Sequence, residues 1–356
     1  MSPPFVDSPG DTPLRDAPAD YDGGGTGRWF VLPEGPDAGR RLFFWERRLG
    51  TGAGPTVLLV HGNPECSYTY RHVVAELVGR DLPPGTRLVA VDHLGFGRSD
   101  QASFEMVDVH HAANLAQLVA ALDLRDVTLV VHDWGGPIGI GALLETPERV
   151  TGLVVLNSTV FPMPPDRPTY ADWPVPVLLP WARTPRVVPD RLWGLSAAFA
   201  VGVGPTSPQR LLAQWARTMA TGSPTGERDA ARVFSGQFAS VANARSSKRM
   251  VRQTPVWGHG YAYDDPRLGR QDNTAFYRRV QERLPAEWGA AGRSVPAAGV
   301  MGAWDPLAKP SVLAQWRAAL PQIELDVHEG VSHFVEEHRP GAVADAVARV
   351  LAARQA

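Results

Sequence analysis

Short apolar runs alternate with helical segments along two separate stretches of this chain, and few architectures accept that rhythm. Thr56–Val60 is a continuous apolar run of the kind buried on both faces. Ser67–Arg80 follows with helical spacing through Tyr70, Val73, Val74 and Leu77. The pairing recurs as Leu88–Val91 with Ala112–Leu122, then as Val127–Val131 with Pro137–Leu144, and a further run lies at Leu153–Leu156. It resumes through Ala297–Met301, Ser311–Leu320, Glu324–His328 and Gly341–Ala353. Such alternation predicts an α/β fold with a mostly parallel sheet and helices on both faces. Ahead of it, Trp29–Val31 and Arg41–Glu46 read as neighbouring strands around a Gly/Pro turn.

The rhythm breaks near Asn157. Residues 158–294 are dense in Pro, Trp and Arg, with helical stretches at Pro208–Met219 and Thr274–Leu284 and no clear strand. The expected organisation is a core domain formed by residues 28–157 and 295–356, interrupted by a helical cap over 158–294. Residues 1–27, rich in Pro, Gly and Asp, are expected to form a flexible arm, because so few apolar side chains cannot offset the entropy of ordering.

Charge narrows the partners. Thirty-five basic residues against 37 acidic ones give a net charge of -2, with no electrostatic footprint for nucleic acid or an anionic membrane. The single cysteine, Cys66, excludes an intrachain disulfide and a cysteine metal site. No apolar run approaches the ~18 residues of a membrane span, and Met1-Ser2-Pro3-Pro4 lacks the pattern of a secretory signal. A soluble, cytoplasmic protein is expected. No histidine stands at metal-ligand spacing from a second ligand, so no metal and no cofactor are expected.

The chemistry concentrates where strands end. Val127–Val131 runs through His132 into Asp133-Trp134-Gly135-Gly136-Pro137, a buried strand turning sharply into a helix. This is the context of a nucleophile elbow, with an aspartate where serine usually stands. A carboxylate with a reference pKa of ~3.9 is already ionised and needs no base before it attacks. It displaces a good leaving group from saturated carbon, and the resulting ester then needs activated water. An acid and a histidine should follow in chain order. Asp305 stands directly after the run ending at Met301, and His333 just after the last strand. His333 is the candidate base and Asp305 its orienting acid. After Thr56–Val60, the loop His61-Gly62-Asn63-Pro64 offers a backbone N–H to an anion hole, as does Trp134. Asn63 and Trp134 also carry side-chain N–H groups suited to a departing halide. The glycine-rich run Asp92–Asp100 lacks the Gly-Lys-Ser/Thr of a phosphate loop and reads as structural.

Together these pieces resemble the haloalkane dehalogenases of the α/β-hydrolase fold. The likeness rests on His61–Pro64 continuing into Ser67–Arg71, on Asp92–Asp100, on His132–Gly136 and on Ser332-His333-Phe334, and covers residues 28–160 and 295–356. The resemblance implies Asp133 as nucleophile, His333 as base, and Asn63 with Trp134 as the halide pair. One group of the family places its acid where Asn157 stands here, so Asp305 takes that role, as in a third subgroup. Some relatives of that subgroup open β-lactones and release CO₂. Pro64-Glu65 is also similar to epoxide hydrolases, which need two cap tyrosines; Tyr170, Tyr261, Tyr263 and Tyr277 lie in the insertion. Trp173, Trp181, Trp193, Phe199, Phe234 and Phe238 are candidate pocket walls. Dehalogenation of a small apolar electrophile is the first expectation, with lactone opening, epoxide hydrolysis and a non-catalytic sensing module as alternatives.

Overall fold

The computed structural model describes residues 4–172, 180–223 and 227–354. Eleven strands occur among these residues: β1 Phe5–Val6, β2 Thr26–Val31, β3 Arg41–Leu49, β4 Thr56–Val60, β5 Thr86–Val91, β6 Val127–His132, β7 Val150–Leu156, β8 Ala262–Asp265, β9 Gly269–Asp272, β10 Ala297–Gly302 and β11 Glu324–His328. Nine form one sheet in the order β1-β2-β3-β5-β4-β6-β7-β10-β11. From β5 to β11 every pairing is parallel, whereas β1, β2 and β3 join antiparallel at one edge. Strands β4 and β6 are buried at every position, in keeping with their mostly apolar sequence.

Helices cover both faces. A Cβ on Gly139, in helix Gly135–Leu143, would lie against Leu129 and Val131, while one on Gly152 would meet Val350 of helix Pro340–Ala353 and Thr128. Positions 128 and 129 of one strand point to opposite faces, so these helices lie on opposite sides of the sheet.

Residues 4–27 are not the unattached arm expected of their composition. Phe5 pairs with Phe30 in the sheet and packs 5.6 Å from the Phe44 ring. Leu14 and Tyr21 are buried, and the Tyr21 hydroxyl donates to Asp92 Oδ2 at 2.8 Å. The segment's few apolar side chains are all spent on the core, and short polar side chains satisfy its backbone, as where Asp11 N–H donates to Asp100 Oδ1. The run Asp92–Asp100 is the clamp. Asp92 also accepts from the N–H groups of Ser67 and Arg98, so it is internally saturated.

The segment between β7 and β10 is largely helical, with helices Trp193–Gly202, Pro208–Thr221, Arg228–Gly236 and Val241–Arg252. Two expectations fail here. A hairpin of β8 and β9 stands where no strand was read, because its alternation is short and polar. Helix Thr274–Trp288 packs on the core helix Gly135–Leu143, with Phe276 against Gly141, so it lies on the core layer and not in a separate cap. No described helix is long and apolar enough to cross a membrane.

Candidate active site

The carboxyl ends of β4, β6, β7 and β10, with the loop after β11, bring the singled-out side chains to one place. Asp133 follows β6 directly, at φ +50, a left-handed conformation that costs a non-glycine residue about 1–3 kcal/mol. The turn lets the helix begin at Gly135, where a Cβ would meet the Val60 carbonyl oxygen at 2.3 Å. The Ser158 hydroxyl and Gly136 N–H donate to the Asp133 carbonyl, pinning the turn.

The Asp133 carboxylate is divided between two neighbours. Oδ1 accepts the backbone N–H of Asn63 at 2.8 Å, and Oδ2 lies 3.3 Å from His333 Nε2. The other ring nitrogen, Nδ1, donates to Asp305 Oδ2. Burial pushes the His333 imidazole down, but the carboxylates of Asp305 and Asp133 outweigh it and hold its pKa well above the ordinary range.

Asp305 is saturated by four donors. Its Oδ2 also accepts the Asn157 amide at 2.8 Å, and its Oδ1 accepts the Tyr170 hydroxyl at 2.9 Å and Leu307 N–H at 3.2 Å. Asn157, at the end of β7, therefore touches the same oxygen that faces His333. Tyr170 reaches down from the insertion onto the acid, a contact that nothing local in the sequence announces.

Asn63 and Trp134 part company. The Asn63 Oδ1 accepts from the Ser247 hydroxyl, which itself accepts from the Trp193 indole at 2.8 Å. That relay from helix Val241–Arg252 orients the amide. Asn63 Nδ2 is buried without a hydrogen-bond partner among the described residues, and Asn63 lines the pocket beside Asp133 and His333. The Trp134 ring is stacked on Trp257 at 3.8 Å and 11°, and Trp257 stands in the pocket wall. Trp257, set between Val256 and Gly258 in a loop, carried no periodic signal that would have marked it.

Of the six aromatic residues proposed as walls, Trp181 lines this pocket. Trp193 is fully buried behind it, Phe199 packs near Val203 and Leu211, Phe234 faces a groove by Arg71, and Phe238 packs on Phe96. Trp173 lies outside the described residues. Of the four tyrosines, Tyr170 alone lines this pocket; Tyr261 accepts from Arg249, Tyr263 donates to the Glu105 carbonyl, and Tyr277 donates to Asp108.

Residues 55–337 match the family model described as the alpha/beta hydrolase fold. The chain belongs to that family. One relative of this α/β-hydrolase is a cis-3-alkyl-4-alkyloxetan-2-one decarboxylase of Xanthomonas campestris pv. campestris, 27% identical over 299 residues, covering 82% of this chain and 86% of that protein. A decarboxylase of the same name from Shewanella oneidensis is 36% identical over 124 residues, 34% of this chain and 37% of that one. Among solved structures, the haloalkane dehalogenase DpaA of Paraglaciecola agarilytica NO2 superposes with a TM-score of 0.66 at 22% identity, covering 95% of this chain and 97% of that one. DatA of Agrobacterium tumefaciens C58 gives 0.62 at 21%, covering 95% and 100%. At such identities the superpositions establish the fold; the chemistry rests on the site.

Proposed function

We propose that this α/β-hydrolase acts through a covalent alkyl ester on Asp133, formed by displacing an anionic leaving group from saturated carbon. The observation that carries the reading is the division of labour around that carboxylate. Oδ1 is held by the Asn63 N–H while Oδ2 faces His333, and the unpartnered Asn63 amide N–H lies in the same pocket. A buried donor without a partner costs about 1–3 kcal/mol, which a departing anion recovers.

We place a cis-3,4-dialkyl β-lactone first among substrates, ahead of a haloalkane. The relative that spans 82% of the chain carries that activity in its name, whereas the dehalogenases support the fold alone. Attack by Asp133 on the ring carbon bearing oxygen breaks the carbon–oxygen bond and frees a carboxylate on the neighbouring carbon. That carboxylate leaves as CO₂, its bonding pair becomes the alkene, and the ester oxygen departs as the restored Asp133. No water is consumed. With a haloalkane the halide leaves instead, and His333 must take a proton from the water that cleaves the ester, giving an alcohol.

The two share their first step and differ in products. Incubation with a cis-3,4-dialkyl β-lactone is expected to give alkene and CO₂, measured by gas chromatography. Halide from 1-bromo- or 1-iodoalkanes without alkene from the lactone would reverse the order, and neither product would sink both readings. Epoxide hydrolysis is the weaker alternative, because the pocket holds one of the two tyrosines it requires, and Tyr170 donates to Asp305.

Asn63→Ala is expected to lower kcat by about 10²–10³-fold with either substrate, since it removes a donor to the leaving anion. An unchanged kcat in steady-state assays would remove Asn63 from the reaction.

A further inference from the structure

Beneath the site lies a second cluster of titratable groups that the proposed reaction does not use. Glu65, His132 and Glu336 are fully buried. His132 Nδ1 pairs with Glu65 Oε1 and lies 3.4 Å from Glu336 Oε1, while its Nε2 is 3.0 Å from the backbone carbonyl oxygen of His333. A carbonyl only accepts, so Nε2 carries a proton. Nδ1 faces carboxylate oxygens, and an ionised carboxylate likewise only accepts. Both ring nitrogens are therefore protonated, and the ring has no lone pair left for a metal ion.

We propose that His132 is a positioning residue, an imidazolium held by Glu65 that fixes the backbone of His333 and repels a second positive charge on the His333 ring. The two rings are 4.7 Å apart. Glu65 extends the same tie to the anion-hole loop, because its Oε1 also accepts the Gly62 N–H at 2.7 Å, one residue from the Asn63 N–H that touches Asp133. One buried pair thus links the loop after β4, the elbow and the histidine loop.

The charges around the ring fit this state. Burial pushes the His132 imidazole down, but Glu336 and Glu65 outweigh it and raise its pKa to about 9. Burial works to raise Glu65 also, yet the His132 cation holds it below the usual carboxylate range. Glu336 is raised by burial and by the Glu65 charge, against the pull of the His132 cation, and accepts from the Thr69 hydroxyl at 2.9 Å. Farther out stand His61, kept neutral by burial, Asp133 and the Arg71–Glu337 pair.

The inference rests on His333 serving as the base, but its test reads a titration and not turnover. The protein is labelled at histidine ¹³Cε1 and followed by NMR. In the wild type, His132 is expected to hold the imidazolium shift from pH 6 to pH 8; a transition near 6.5 would overturn the proposal. Asp133→Asn, which imitates the neutral ester, brings His333 down into a measurable range. Adding His132→Gln, whose amide still donates to the His333 carbonyl, is expected to move the His333 midpoint upward by about one to two units. An unmoved midpoint in that folded double variant would reduce His132 to scaffolding. Loss of haloalkane turnover in His333→Gln, with the alkyl ester retained, tests the base itself, so the two ideas fail separately.

Discussion

Asp133→Asn is expected to abolish turnover of both lactone and haloalkane, by at least about 10⁴-fold. The substitution is chosen to remove charge and little else. Asparagine tolerates the left-handed backbone that position 133 adopts at φ +50, and its Oδ1 still accepts the Asn63 N–H. His333→Gln separates the two chemistries. With 1-iodobutane the first step needs no base, so the ester should form and stay. Intact-mass measurement should then show one added butyl group. With the lactone, loss of CO₂ expels the carboxylate without water, so no adduct should accumulate. The pH dependence follows the same charges. In the resting protein burial pushes the His333 pKa down, but the Asp305 and Asp133 carboxylates outweigh it and raise it. Esterification removes the Asp133 charge, the pKa falls, and the imidazole becomes a base. Ester hydrolysis should therefore lose rate as pH drops through that lower value, which lies below the His333 titration of the free protein. Stopped-flow measurement of the hydrolytic step checks the order. A mass unchanged in every His333→Gln incubation with iodoalkane, together with active Asp133→Asn, would end the covalent reading.

Much of this site was legible because its parts stand next to strong local signals. A mostly apolar strand, a glycine pair and a polar residue at the turn between them place Asp133 without any tertiary information. The chain order of acid and histidine then points to Asp305 and His333, both directly after strands. What stayed hidden is carried by partners far apart in sequence. Tyr170 and Asp305 meet across 135 positions, and Ser247 orients Asn63 across 184. His132, one residue before Asp133 at the end of its strand, is expected by side-chain alternation to point away from the pocket. It does point away, but into Glu65 and toward the back of His333. The docked residues 4–27 show the same limit, since composition reports how little a segment can bury and not whether a clamp such as Asp92–Asp100 awaits it. The hairpin of β8 and β9 was missed because four-residue polar strands carry no periodic signal.

Asp305→Asn should cost about 10⁴-fold in ester hydrolysis, and the reason predicts its repair. The native carboxylate accepts from four donors, two on each oxygen. An amide there must turn its own N–H₂ toward one of those pairs, so donors face donors and His333 loses the partner of its cation. Asn157 already touches the oxygen that faces His333, at 2.8 Å, and its Oδ1 accepts the Gly302 N–H at 2.7 Å. Exchanging the two residues, Asn157→Asp with Asp305→Asn, moves the charge one hydrogen bond sideways. The new carboxylate keeps the Gly302 N–H, gives up the amide bond to the Gly302 carbonyl, and places its charge beside the oxygen that faced Nδ1, where it accepts from the new amide. The double variant is expected to recover at least tenfold over Asp305→Asn in single-turnover hydrolysis of the alkyl ester. Asn157→Asp alone should behave differently. Two buried carboxylates within hydrogen-bond distance share a proton, so the variant should melt at a lower Tm, and the loss should shrink as the pH falls and protonation becomes easier. If the double variant recovers nothing while folding normally, the acid at 305 acts through its exact placement beneath Tyr170 and not through its charge alone.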